Sequence, residues 1–229
     1  MKYILGAVLL SFLMVSCAKE EPHNFKLKGY VKGLKKGTVY LQKQQDSLLI
    51  TLDSLEIKGD SNFELHTDLE EPEILTLKLD KNDDKENWVS FFADTGVTEI
   101  RSTRKLFNFN SVIIGSKQQE VLEEYLSTIS ILYNRNLDVL ESNFNTNSST
   151  TFNEQQQKSL KQKYSYTIQF ALNNRNSEVA PYLAVYEIPN TTVRYLDTIY
   201  KTLTPPIKAS KYGKLLKETI DLRSSEAHN

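Results

Sequence analysis

Between Phe25 and Gly115 the apolar residues of this 229-residue chain recur at every second position. That is the period of a strand with one face buried. Phe25, Leu27, Tyr30 and Val31 open the series in the run FKLKGYVKGL, and Gly33 with Lys35-Lys36-Gly37 supplies a turn. Further strands are predicted over residues 38–41, 48–52 with an extension toward Leu55 and Ile57, 62–66, 74–79, 88–92, 97–100 and 112–114. Gly59-Asp60-Ser61-Asn62 has the composition of a hairpin turn, since Gly and Asn tolerate positive φ. Asp94-Thr95-Gly96 is a further turn, and Pro72 and the polar residues 80–87 separate other runs. Residues 25–115 are therefore predicted to form an antiparallel β-sandwich or open barrel of about eight strands.

At Ser116 the period changes. Ser116-Lys117-Gln118-Gln119 has the form of a capping box, in which Gln119 would reach back to the Ser116 N–H. Leu122, Tyr125, Leu126, Ile129, Leu132, Tyr133, Leu137, Leu140 and Phe144 then recur at three and four, one apolar face of a long helix. After a polar loop at 145–151, a second helix is predicted over 153–174, with Leu160, Tyr164, Ile168, Ala171 and Leu172 facing in. Ser177 is placed to cap a third helix that Pro189 closes. Val193, Leu196, Tyr200 and Leu203 mark a fourth, and Thr204-Pro205 reads as an N-cap with proline at the first helical position. Tyr212, Leu215, Leu216 and Ile220 mark the last. The fold class is thus α+β: a β domain at 25–115, an all-helical region at 116–223, and a polar tail at 224–229.

Residues 1–24 follow neither period. Lys2 precedes an apolar run from Tyr3 to Val15, shorter than the roughly twenty residues a membrane-spanning helix needs and suited to a signal peptide. The run ends in Leu13-Met14-Val15-Ser16-Cys17, which resembles the lipobox of bacterial lipoproteins, with Met14 where Leu is commoner. That resemblance implies a signal peptide at 1–16, a lipidated Cys17 and a tether at 17–24. Cys17 is the only cysteine, so it has no disulfide partner within the chain. Two or three acyl chains give stable anchoring, at about 0.8 kcal/mol per buried methylene. Lys19-Glu20-Glu21 after Ala18 resembles the signal that sends some Bacteroidetes lipoproteins to the outer face of the outer membrane.

Composition narrows the possibilities further. Hydrophobic residues make up 39% and charged residues 25%, values of a folded chain, and the net charge of −1 carries none of the basic excess of a nucleic-acid binder. His23, His66 and His228 are the only histidines, and no two have metal-ligand spacing. Asp80-Lys81-Asn82-Asp83-Asp84-Lys85-Glu86 alternates oxygen ligands like the start of an EF-hand loop, but Lys85 and Phe91 stand where Gly and Glu are required. Gly29, Gly33 and Gly37 read as turn glycines, because no G-K-[ST] follows them. No G-x-S-x-G elbow is present. Asp46-Ser47-Leu48, Asp53-Ser54-Leu55 and Asp197-Thr198-Ile199 resemble a bacterial O-glycosylation triplet, with ordinary turns and caps as the alternative. No catalytic residue, cofactor site or metal site is predicted.

Several loose motifs occur in a fixed order: Phe25-x-Leu27-x-Gly29, then Asp53-Ser54 before a strand, then Gly59-x-x-x-Phe63-x-Leu65, Ile113-Ile114-Gly115-Ser116 and Ser210-Lys211-Tyr212-Gly213. With the lipobox, they resemble the uncharacterised N-terminal domain that precedes thioredoxin-like (AhpC-TSA-type) domains in Bacteroidetes lipoproteins. Fused members carry a C-x-x-C next, whereas this sequence ends at Asn229 with one cysteine. Thiol–disulfide turnover needs an attacking thiolate and a resolving partner, so the redox activity is not carried over. The function expected is that of a non-enzymatic, lipid-anchored cell-envelope lipoprotein at the outer membrane, on its periplasmic or surface-exposed face, acting as a binding or interaction module. Its expected partners are the membrane and a thioredoxin-like lipoprotein or other envelope protein, with no nucleic acid. The alternative is an accessory domain for a separate thioredoxin-like thiol-disulfide oxidoreductase.

Overall fold

The computed structural model describes residues 23–45, 48–80, 87–144 and 149–226. Its fold is α+β, with eight strands in two sheets, sandwich-like and not closed, followed by helices. The strands are β1 (Phe25–Lys32), β2 (Lys36–Gln45), β3 (Leu48–Lys58), β4 (Asn62–Thr67), β5 (Glu73–Asp80), β6 (Trp88–Ala93), β7 (Gly96–Thr103) and β8 (Val112–Ile114). The first sheet has the order β4-β1-β7-β8 and the second β3-β2-β5-β6. Alternate residues meet between the sheets: Phe25, Leu27 and Val31 of β1, Val39 and Leu41 of β2, Phe63 and Leu65 of β4, Leu75, Leu77 and Leu79 of β5, and Phe91 of β6. The period of two is the physical record of this core.

Several expectations change in detail. β1 and β7 run parallel, from Phe25↔Gly96 to Lys32↔Thr103, while every other pair is antiparallel. Residues 59–62 do not close a hairpin. β3 belongs to the second sheet and β4 to the first, so the turn carries the chain across the sandwich. There Val31 N–H donates to Ser61 O at 3.1 Å, and Gly59 adopts φ 91°. Asp53 lies inside β3 rather than before it, and its Oδ2 accepts the His66 N–H of β4 at 2.7 Å, joining the two sheet edges.

Gly29 is not a turn residue either. It sits in the middle of β1, opposite Phe63 of β4, and the Phe63 ring fills the space a Cβ would need. The sequence motifs F-x-L-x-G and F-x-L are thus one register: Leu27↔Leu65 and Gly29↔Phe63. Gly33 does lie in the β1–β2 connection and Gly37 just inside the start of β2, with positive φ of 87° and 124°.

Six helices follow among the described residues: α1 (Lys117–Phe144), α2 (Ser149–Asn173), α3 (Val179–Tyr186), α4 (Val193–Thr202), α5 (Pro205–Ala209) and α6 (Lys211–Glu226). Leu122, Tyr125 and Ile129 of α1 pack with Phe170, Val179, Leu183 and Tyr212 against Phe92, whose side chain points away from the sandwich core. A second cluster joins Ala171, Ala184, Leu196, Ile199, Leu216 and Ile220. Leu126, Tyr133 and Leu160, expected to face in, are exposed. The side chains of Leu137, Leu140 and Phe144 lie outside the described set. α6 continues through Arg223, whose guanidinium donates to Pro189 O at 2.9 Å and Thr191 O at 2.7 Å. No described helix is long and apolar enough to cross a membrane.

Candidate functional site

The register of the first sheet lines up one residue from each strand on its solvent face. Tyr30 of β1 is opposite Asn62 of β4 on one side and Arg101 of β7 on the other, and Arg101 is opposite Val112 of β8. Lys32 and Thr103 form the next step of β1 and β7, and Asn110 closes over them from the loop before β8. With Ser102 these residues line a shallow groove of about 500 Å³. Asn110 Nδ2 donates to Thr103 Oγ1 at 3.0 Å, and Asn110 N–H donates to Leu106 O at 2.8 Å, so the loop wall is tied down. Ser102 turns inward and donates to Phe107 O at 2.6 Å.

The charges in the groove do not balance. Arg101 NH2 donates to Glu99 Oε2 at 3.2 Å along its own strand. The Lys32 ammonium, by contrast, has no hydrogen-bond or ion-pair partner among the described residues, although the Lys32 carbonyl accepts the Arg104 N–H at 3.0 Å. Asn62 gives its N–H and Nδ2 to Asp60 Oδ1 at 3.0 and 2.9 Å, which leaves its amide oxygen available as an acceptor. A half-exposed aromatic ring, two cations and two amides therefore share one concave surface, the composition of a polar ligand site.

The groove lies at the far end of the sandwich from the point where the chain enters it. Asn24 is clamped beside the start of β1: its N–H donates to Asp68 Oδ1 at 2.9 Å, and its amide exchanges hydrogen bonds of 2.8 Å with the Leu69 backbone. Its carbonyl accepts the Gly96 N–H at 2.8 Å. The seven steps of β1 from Phe25 to Lys32, at about 3.3 Å each, separate the clamp from Lys32 by roughly 23 Å.

A second polar constellation sits near the clamp, where helices meet sandwich, and it accounts for Ser210-Lys211-Tyr212-Gly213. Ser210 Oγ donates to Glu178 Oε2 at 2.5 Å and accepts the Gly213 N–H at 3.3 Å, so it caps α6. Lys211 N–H donates to Glu71 Oε2 at 2.7 Å, and its Nζ pairs with Glu73 at 2.5 Å. Tyr212 Oη accepts the Ile74 N–H at 2.9 Å while its ring packs edge-on against Phe92 and Tyr182. Gly213 lies against the Ile207 carbonyl, where a Cβ would collide. Burial holds the Glu178 carboxyl above the ordinary range, against the Ser210 hydrogen bond and with Glu71 and Asp94 adding to it. Burial likewise pushes the Tyr182 phenol up to about 12 and the Tyr212 phenol beyond that. These groups are committed to one another, and the cluster docks the helices.

Cys17, the residue expected to carry lipid, lies outside the described residues, as do His228 and residues 81–86 of the EF-hand-like loop. His23 stacks on His66 with centroids 6.2 Å apart, and its Nδ1 is 2.9 Å from Asp68 Oδ2. The described residues bring no three His, Cys, Asp or Glu side chains together as a metal site. Asp53-Ser54-Leu55 lies within β3 and Asp197-Thr198-Ile199 within α4, so neither triplet is a turn or cap; Asp46 and Ser47 fall outside the description. The groove went unread in the sequence, since its row comes from four strands. One signal was present: Tyr30 falls out of phase with the inward positions Phe25, Leu27 and Val31.

Residues 25–122 match the model of a family described as a domain of unknown function, DUF4369, which covers all eight strands and the start of α1. No curated protein matches the chain.

Proposed function

We propose that this chain is a non-enzymatic, lipid-anchored lipoprotein of the cell envelope that works as a binding module, with the groove over Tyr30 and Arg101 as its contact surface. Cys17 carries the anchor, and the outer membrane is its site. The observation that carries the reading is the placement of the groove. It opens at the end of β1 away from Asn24, the opposite end of the strand from where the described chain begins. The commitment of the Ser210 hydroxyl to Glu178 and the Ile207 carbonyl supports a docking role for that cluster rather than a nucleophilic one.

The test has two arms. Labelled palmitate should enter the native protein and not Cys17→Ala. A photoreactive residue in place of Tyr30 should crosslink partners in intact cells, and mass spectrometry should identify them. A thioredoxin-like partner would shift the reading to a redox accessory. Hydrolytic or redox turnover by purified Cys17→Ala protein would sink the non-enzymatic reading, and unlabelled native protein would sink the anchor.

A further inference from the structure

The groove offers two kinds of recognition group side by side. Lys32 and Arg101 are diagonal neighbours on adjacent strands, where like charges repel unless a counter-charge sits between them. Arg101 pairs with Glu99 through only one of its two terminal nitrogens, and the Lys32 ammonium pairs with no acid among the described residues. The remaining guanidinium donors and the Lys32 ammonium suit a carboxylate, which guanidinium binds in a fixed planar geometry. The other lining groups are neutral and of both polarities. The Asn62 amide oxygen accepts, and the Thr103 hydroxyl, which accepts from Asn110, retains its hydrogen to donate. Such pairs match hydroxyl groups, which both give and take hydrogen bonds. Tyr30 and Val112 add an apolar floor for the C–H face of a saturated ring.

We infer that the groove takes a carboxylate carried on a hydroxylated ring, the chemistry of a sugar acid; the inference rests on the binding reading above. A simple anion would use the two cations and leave the amides and the Tyr30 ring without a role. A neutral sugar would leave the Lys32 ammonium without a counter-charge and the free Arg101 donors without an acid. Neither accounts for the whole row, and a uronic acid accounts for all of it.

Titration calorimetry on the detergent-solubilised lipoprotein tests this with three probes: digalacturonic acid, the neutral disaccharide digalactose, and sodium acetate. Digalacturonic acid should bind, more weakly as salt is raised. Lys32→Gln and Arg101→Gln should each weaken it about tenfold or more, the scale of a lost charge-assisted hydrogen bond, and Tyr30→Ala should weaken it with the thermal transition unchanged. Digalactose binding as tightly as digalacturonic acid would overturn the inference, since the charge would not be read. Acetate binding as tightly would overturn it too, leaving an anion site blind to the sugar. If digalacturonic acid does not bind, the inference fails; the crosslink at the Tyr30 position then decides separately whether the binding reading survives.

Discussion

The backbone N–H of Phe92 donates to Gln119 Oε1 at 2.7 Å, so the free edge of β6 is closed by a side chain from the first turn of α1. Ser116 completes the join. Its Oγ donates to Phe92 O at 2.8 Å and accepts the Gln119 N–H at 3.1 Å. The capping box is thus half used within the helix and half spent on the sheet, while Gln119 Nε2 donates to Glu123 at 3.0 Å. Removing Gln119 leaves a buried N–H without an acceptor. Gln119→Ala should cost about 1–3 kcal/mol, and Ser116→Ala about 1 kcal/mol. Chemical denaturation of both and of the double variant should show non-additivity, because the residues share Phe92.

Gly29 and Phe63 make a reciprocal prediction. A methyl group at position 29 would occupy the space of the Phe63 ring. Gly29→Ala should therefore destabilise by about 1–3 kcal/mol, the usual cost of overpacking. Phe63→Leu should recover part of that loss in the double variant, although Phe63→Leu alone is destabilising. Urea midpoints of the four proteins decide it, and strict additivity would refute the contact.

Tyr212 separates ring from hydroxyl. Tyr212→Phe keeps the packing against Phe92 and Tyr182 and orphans only the Ile74 N–H. The expected loss is about 1–2 kcal/mol. Tyr212→Ala removes the ring from a buried aromatic cluster and should cost about 3–5 kcal/mol. Near-UV circular dichroism should stay nearly native in the first variant and change in the second.

Glu178 predicts a pH dependence. Its folded pKa is raised, chiefly by burial, so the folded state holds the proton more tightly than the unfolded state. The stability it contributes is fully present below the ordinary carboxylate value and is lost as pH rises through the raised one. Glu178→Gln keeps an acceptor for Ser210 and removes the titration. The melting temperature of the natural protein should therefore fall relative to Glu178→Gln as pH climbs from about 4 toward neutrality. A difference that is flat across this range would contradict the assignment.

The strands and helices were legible because burial imposes its period locally: Leu75, Leu77 and Leu79 report β5 without reference to any partner. Strand partners leave no such local trace. Nothing in FKLKGYVK says that its neighbour is β7 rather than β2, or that the pairing is parallel. The outer-face groove inherits this limit, because Asn62, Tyr30, Arg101 and Val112 become neighbours only through three separate pairings. Gly29 was misread for the same reason: a turn glycine and a glycine making room for a ring across the sheet look alike until Phe63 is placed. Ser116 and Gln119 were recognised as a cap, yet the acceptor role of Gln119 toward another element was invisible.

The parallel pairing of β1 with β7 also dictates an order of assembly. β2 with β3 and β5 with β6 are each joined by short connections and can zip as hairpins. The first strand cannot: its two partners come only with Asn62 and then Gly96, far along the chain. Closing such long loops is slow, and non-local pairs repay the entropy only once formed. The second sheet is therefore the early-forming half and the first sheet the late one. A chain synthesised only as far as β6 would own a hairpin-rich half-core and no groove at all. Ligand-binding competence would then arrive late in folding, with the seventh and eighth strands.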